Sequence, residues 1–265
     1  MSPNKLRVAI ITSNQFGTAA FHLPYLNKNP QIEICTVIYC NIQKTKINYK
    51  KKFKKILKIG ISGALNGIRM RSWFTNDVDK LMKMESVLDF CTQNNIPYFE
   101  TTKLNSEFTL DKLNLCQPDL GVSLGNSYIA EKIYNAPKQG MINIHHEILP
   151  EYQNAQSIIW QIYNLSPSSG YTIHKIEKSI DTGSIVFQEK VPILFKKSLK
   201  KTITYTALEL LKHSSEGLNH VLSNWSNISH HAIPQTKGRV YTTPSFLQFV
   251  RIYFNYLKLR KRQNS

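Results

Sequence analysis

Apolar positions along the chain fall into short, continuous runs separated by stretches whose apolar residues recur at helical spacing. "LRVAIITS" opens the first run, the loop "NQFG" follows, and a helix is predicted through Leu26. "IEICTVIYC" is a second β-branched run, so the order is strand, helix, strand, which begins a parallel α/β sheet. "VDKLMKMESVLDFCTQNN" has helical spacing, and Asp77 and Asp79 sit where acidic residues favour a helix start. "IPYFE", "PDLGVSLG" and "GMINIHH" read as further strands, with the helical "AEKIYN" between the last two. "SGYTIHKIE" and "GSIVFQEKVPI" add two more.

The pattern changes after Pro192. "LKKTITYTALELLKHSSEGLNHVLSNW" predicts a long amphipathic helix, and "IPQTKGRVYTTPSF" a short extended segment. A basic helix is predicted from Phe246 to about Lys261, with Phe249, Val250, Tyr253, Phe254 and Leu257 along one side. Residues 1–192 therefore read as one body and residues 193–265 as a docked helical extension. No repeat occurs at any period.

The 265 residues are enough for a sizeable core, and 42% hydrophobic with 19% charged residues is a globular balance. The longest apolar runs are too short to span a bilayer, and "MSPNKLRVAII" does not resemble a signal peptide. Cys35, Cys40, Cys91 and Cys116 lack metal-ligand spacing and lie mostly in apolar segments, so they read as reduced core thiols in a cytoplasmic protein. His230 and His231 have no ligand partners at zinc spacing, and no metal is expected. "SNQFG" lacks the glycine fingerprint of a dinucleotide site, which excludes such a cofactor.

Charge adds one feature. The formal net charge is +17, and between Asn41 and Asn76 there are ten Lys or Arg and no acidic residue. The lysines from Lys44 to Lys58 read as a solvated helix face. Phe53, Ile56 and Leu57 at helical spacing permit contact with an anionic membrane surface, and a diphosphate is a second partner for the same charge.

The candidate chemistry lies in "INIHHEILPEYQNAQS". Alternation puts Asn143 and His145 on one face of a strand, with Ile142 and Ile144 on the other. In open α/β sheets ligands sit beyond the strands' carboxyl ends, so the polar pair reads as the lining of a cleft. His146 points away from His145. Asp181 follows 36 residues after His145, on a glycine-containing loop between two strands. A carboxylate beside His145 would favour its charged form and orient it, and Asn143 can donate to an oxygen that gains charge. With no Ser or Cys nucleophile, the trio points to direct transfer onto a substrate nucleophile.

"MINIHHEILPEYQNAQSIIWQIYN" and "SGYTIHKIEKSIDTGSIVFQEKVPI" together resemble the folate-dependent formyltransferases, over residues 121–192 and more weakly back to Leu6. The resemblance implies a Rossmann-like α/β fold, a mostly parallel sheet with helices on both faces, and N10-formyltetrahydrofolate as co-substrate. Asn143, His145 and Asp181 match the family's catalytic residues; His145 would act either as base or as oxyanion stabiliser. Asn126, Ser127, Tyr128, Ile129, Ile176, Glu177 and Ile180 match its folate walls, with His174 in a supporting position. The family's Pro-Ser and Arg-Gly are replaced by His146-Glu147 and Gln153-Asn154, so His146, Glu147 and Gln153 are expected beside the acceptor. Asn14, Gln15 and Phe16 are expected beside its sugar or diphosphate. Only 73 residues follow Pro192, and "GRVYT" resembles a C-terminal hairpin of the sugar-nucleotide members. That implies a dTDP- or GDP-linked amino-dideoxysugar destined for O-antigen as acceptor, a homodimer, and no nucleic-acid partner. Methionyl-tRNA as acceptor is the alternative, with a non-catalytic basic adaptor as the rival outside enzymology.

Overall fold

The computed structural model describes residues 5–41, 49–74, 78, 81–153 and 158–263. Asp77, Asp79, Asn154 and residues 42–48 lie outside them, as do the side chains of Lys50, Lys51, Lys52, Lys54, Lys55 and Lys58, so the expected helix start and the expected solvated lysine face are not described. Seven strands form one sheet: β1 Leu6–Thr12, β2 Ile32–Cys40, β3 Tyr98–Thr101, β4 Leu120–Leu124, β5 Met141–His145, β6 Ser168–Lys175 and β7 Ile185–Pro192. Their order is β3-β2-β1-β4-β5-β6-β7. The first five run parallel, while β6 and β7 pair antiparallel.

The helices are α1 Thr18–Asn27, α2 Tyr49–Phe74, α3 Val87–Gln93, α4 Glu107–Cys116, α5 Glu131–Tyr134, α6 Ile159–Tyr163, α7 Leu199–Ser223, α8 Trp225–Ile228 and α9 Phe246–Gln263. The single helix expected across residues 78–95 is interrupted. Lys83 takes a left-handed φ of 46°, and Ser86 starts α3 afresh by accepting a hydrogen bond from the Asp89 N–H. Helix α4 lies in "EFTLDKLNLC", a segment to which the sequence pattern assigned no element.

Strand alternation divides the interior into two layers. Val8, Ile10, Val122, Ile142 and Ile144 pack with α1, α3 and α7 on one face. Ala9, Ile11, Cys35, Ile38 and Met141 meet the smaller α4 and α5 on the other. Asn143 and His145 project to this second side, where cover is thin beyond the carboxyl ends of β4 and β5.

One expectation about the C-terminal part is corrected. The "GRVYT" segment is not a hairpin among the described residues. It is an extended strap whose Val240 bridges Gln153 in parallel, with Gln153 N–H donating to Arg239 O and Tyr241 N–H to Gln153 O. Helix α9 buries Ile252, Tyr256 and Leu259; of the apolar side read from its spacing, Phe249 packs partly against the core while Tyr253, Phe254 and Leu257 stay exposed.

Candidate active site

Register explains the site. Ser123 on β4 is the partner of Asn143 on β5, and Asn143 is the partner of His174 on β6. Residues in register on adjacent strands share a face, so Ser123, Asn143 and His174 form one polar row across three strands. His145 stands one step further, opposite Thr172. Ser123 was legible only as a lone hydroxyl in an otherwise apolar strand.

The loop after β6 supplies the carboxylate. Asp181 has a φ of 55°, in the left-handed region that Asp tolerates better than most residues. Gly183 lets this loop fold back, since a Cβ there would lie 1.8 Å from the Lys175 carbonyl oxygen. Asp181 Oδ2 comes within 3.8 Å of His145 Nδ1, and Oδ1 within 3.8 Å of His174 Nε2. These are ion-pair distances rather than hydrogen bonds. His174 Nδ1 lies 2.9 Å from the Lys175 carbonyl and must donate to it, because a carbonyl only accepts. Its Nε2 then accepts from Asn143 Nδ2 at 3.3 Å. Burial lowers the His174 pKa, partly offset by the Lys175 carbonyl and Asp181, which keeps that acceptor unprotonated.

His145 is oriented from the opposite side. Its Nε2 donates to the Tyr152 carbonyl at 3.2 Å. Tyr152 belongs to the loop that the C-terminal strap holds. Its ring stacks on Tyr241 at 5.4 Å, Trp160 Nε1 donates to Thr242 O, and Gln153 Nε2 reaches the Asp181 carbonyl at 3.4 Å. Thr172 secures the base of the loop by donating to Glu147 O and accepting from Leu149 N–H.

Asn143, His145, His174 and Asp181 line a cleft of about 400 Å³ together with Ser123, Gly125 and Ser179. All seven residues expected at the folate walls border it: Asn126, Ser127, Tyr128 and Ile129 on one side, Ile176, Glu177 and Ile180 on the other. The Asn126 side chain is committed inward, donating to Ile11 O and Ser123 Oγ and accepting from Ser13 Oγ, so both its amide hydrogens are taken. Asn105, which carries no sequence signal, braces residues 128–130: its amide donates to Tyr128 O and accepts from Ala130 N–H. Ile129, Ile176 and Ile180 beside the polar row give a partly apolar cleft, which suits a flat ligand with hydrogen-bonding edges.

The residues expected at the acceptor divide. His146 borders the cleft, but its Nε2 lies 3.1 Å from Ser214 Oγ, which is also 3.1 Å from His22 Nε2. Burial pushes His22 down to about 4 and His146 down to about 3, the neighbouring histidines lowering His146 further. Glu147 is 1% exposed and takes the Gln161 side-chain amide, so it braces the loop from within rather than facing solvent. Gln15 is engaged by Tyr98 and Leu88 N–H. Asn14, Gln15, Phe16, Glu147 and Gln153 are absent from the cleft lining.

A mostly parallel sheet whose polar row meets an acidic loop at the strands' carboxyl ends places the site where open α/β sheets hold their ligands. The profile of the formyl transferase family matches residues 6–213, and the chain belongs to that family. The match runs beyond Pro192 into α7. Methionyl-tRNA formyltransferase of Bacteroides thetaiotaomicron is 30% identical over 107 residues, 40% of this chain and 33% of that protein. Bifunctional polymyxin resistance protein ArnA of Wigglesworthia glossinidia brevipalpis is 29% identical over 167 residues, 60% of this chain and 26% of that one. The matches thus span about a third or less of these relatives' length. Among solved structures, phosphoribosylglycinamide formyltransferase from Bacillus halodurans superposes with a TM-score of 0.56 at 19% identity, covering 83% of this chain and 95% of that one. An N-formyltransferase from Helicobacter canadensis, in complex with folinic acid and dTDP-3-aminofucose, gives 0.52 at 18%, covering 88% and 70%. At such identities these neighbours bear on the fold alone.

Proposed function

We propose that the chain transfers a formyl group from N10-formyltetrahydrofolate to the primary amine of a nucleotide-linked amino-dideoxysugar, a precursor of surface glycans such as O-antigen. The observation that carries the reading is the convergence of the Asn143 amide, the His145 imidazole and the Asp181 carboxylate in one cleft with an apolar wall.

Bound folate would supply an electrophilic formyl carbon. Asn143 Nδ2 has two hydrogens. One is held by His174 Nε2, and the other is free to meet the formyl oxygen as negative charge builds on it. The acceptor nitrogen forms the new C–N bond, the bond to the folate nitrogen breaks, and one proton must move from the first nitrogen to the second. Asp181 and His145 form the route for that proton: Nε2 stays anchored on the Tyr152 carbonyl while Nδ1 faces the carboxylate. A separation of 3.8 Å leaves this transfer to an intervening substrate proton or water.

A second groove, of about 560 Å³, adjoins the loop that carries Tyr152 and is lined by Lys237, Arg239, Glu151, Tyr152 and Tyr241 among others. Two cations against one carboxylate, beside stacked aromatic rings, suit a nucleoside diphosphate, which supports the sugar-nucleotide reading. Methionyl-tRNA is the second reading, favoured by the net charge of +17 and by the sequence relatives.

The test is a screen of dTDP-, GDP- and UDP-linked aminosugars and methionyl-tRNA with the formyl donor. Turnover of an aminosugar nucleotide that drops about a hundredfold or more in His145→Ala and in Asp181→Ala is the expected result. Turnover of methionyl-tRNA alone would replace the acceptor. Undiminished turnover in both variants would remove the site assignment, and salt-sensitive polyanion binding without turnover would favour an adaptor.

A further inference from the structure

Helix α2 is apolar on two sides. Its inner side places Ile59, Met70 and Trp73 in the core, and Thr204 Oγ1 on α7 donates to the Trp73 carbonyl. Gly60, with φ 74° and ψ 164°, breaks the helix; beyond the break the outer side presents Ile61, Leu65 and Ile68, with Ile61 73% exposed, and before it Leu57 is 69% exposed. A single outward leucine needs no explanation; Ile61, Leu65 and Ile68 exposed together at helical spacing do.

Helix α9 repeats the pattern. Its inner side is Ile252, Tyr256 and Leu259, while Leu247 at 77% and Phe254 at 63% stand in solvent. The two helices adjoin: a Cβ on Gly63 of α2 would lie 3.2 Å from the Pro244 carbonyl, and one on Gly67 2.7 Å from Thr243 Cγ2, just before α9 begins. Their sequences carry eight and five basic residues respectively, and neither contains Asp or Glu.

We infer that α2 and α9 together form a docking surface for an anionic lipid bilayer, the aliphatic side chains entering the headgroup region and the exposed Lys258 and Lys261 of α9 meeting phosphates. The charge selects this occupant. A second copy of the chain would bring two basic surfaces face to face, and a nucleic acid would leave Leu57, Ile61, Leu65 and Leu247 without apolar cover. Among the described residues no helix is long and apolar enough to cross a membrane, so the contact is peripheral. This inference is independent of the acceptor and of the catalytic assignment.

Flotation of the full chain with vesicles of phosphatidylcholine alone, or mixed with phosphatidylglycerol, tests it. Binding to the anionic vesicles is expected to be about tenfold tighter or more and to weaken as salt rises. The double variant Ile61→Ser/Phe254→Ser should lose about tenfold of that binding while keeping its melting temperature. Leu247→Ser, at a more exposed position, provides the same comparison if the double variant folds poorly. Equal or no binding to both vesicle types would overturn the proposal. So would anionic binding unchanged by the serine variants, which would reduce the surface to charge alone. A concentration-dependent dimer in sedimentation velocity, abolished by those substitutions, would overturn it in favour of self-association.

Discussion

Asp181 Oδ2 lies 3.8 Å from His145 Nδ1, although the two residues belong to different strand–loop units. The Asp181 backbone is left-handed, and Asn tolerates that conformation nearly as well as Asp. Asp181→Asn therefore keeps the loop and removes the charge. The expected outcome is a fall in kcat of about a hundredfold or more, with unfolding free energy within about 1 kcal/mol of the wild type. Steady-state kinetics and urea denaturation check the two halves separately. A wild-type kcat would remove Asp181 from the proton route.

His174 touches the Asn143 amide rather than the reacting atoms. Replacing it with Phe removes the acceptor for Asn143 Nδ2 and frees the amide to rotate. A fall in kcat of about tenfold is expected with the KM for the formyl donor little changed, and His174→Gln, which restores a side-chain acceptor, should recover part of it. Equal losses in both variants would indicate that only packing at this position matters.

The buried histidines give a pH dependence of stability. His22 is fully buried with a pKa lowered to about 4 from an ordinary value of 6.5, and His146 is lowered to about 3. Between those values and 6.5 the unfolded chain binds more protons than the folded one, so stability rises with pH across this window. It is fully present above about 6.5 and lost as pH falls toward 4. For His22 alone the difference is about 3 kcal/mol at pH 4. Urea unfolding at pH 7 and at pH 4.5 should show the loss, and His22→Gln should flatten the profile even though it destabilises the protein at neutral pH.

Gly183 is required by close approach rather than by φ. The Cβ of Gly183→Ala would sit 1.8 Å from the Lys175 carbonyl oxygen, against backbone that cannot rotate away. A loss of about 2–3 kcal/mol, with kcat reduced through displacement of Asp181, is expected. An unchanged unfolding midpoint with normal activity would show that the loop accommodates the methyl group.

The C-terminal strap reaches the chemistry through Tyr152. Tyr241→Ala removes the ring stacked on Tyr152 and loosens the carbonyl that receives His145 Nε2–H. kcat should fall about tenfold, and Tyr241→Phe, which keeps the stack, should restore most of it. Parallel loss in both variants would point to the Tyr241 hydroxyl and its bond from Asn164 instead.

Much of this protein was legible along the chain because alternation and apolar runs are local. All seven strands were marked by their own residues, and alternation alone set Asn143 and His145 opposite Ile142 and Ile144. The meeting of Asp181 with His145 depended on the resemblance to a family, since no local rule says where a loop 36 residues away will fold. Tertiary structure alone decided the rest. Register between strands brought Ser123 and His174 to Asn143, and a single bridge at Gln153 turned an expected hairpin into a strap. Packing buried Ile252, Tyr256 and Leu259 of α9 and left Tyr253, Phe254 and Leu257 outside, because a helix with apolar residues on both sides leaves the choice to whatever surface it meets. The same ambiguity left an outer apolar row on α2. Local sequence sets which residues can share a face; only the assembled chain determines which face is covered.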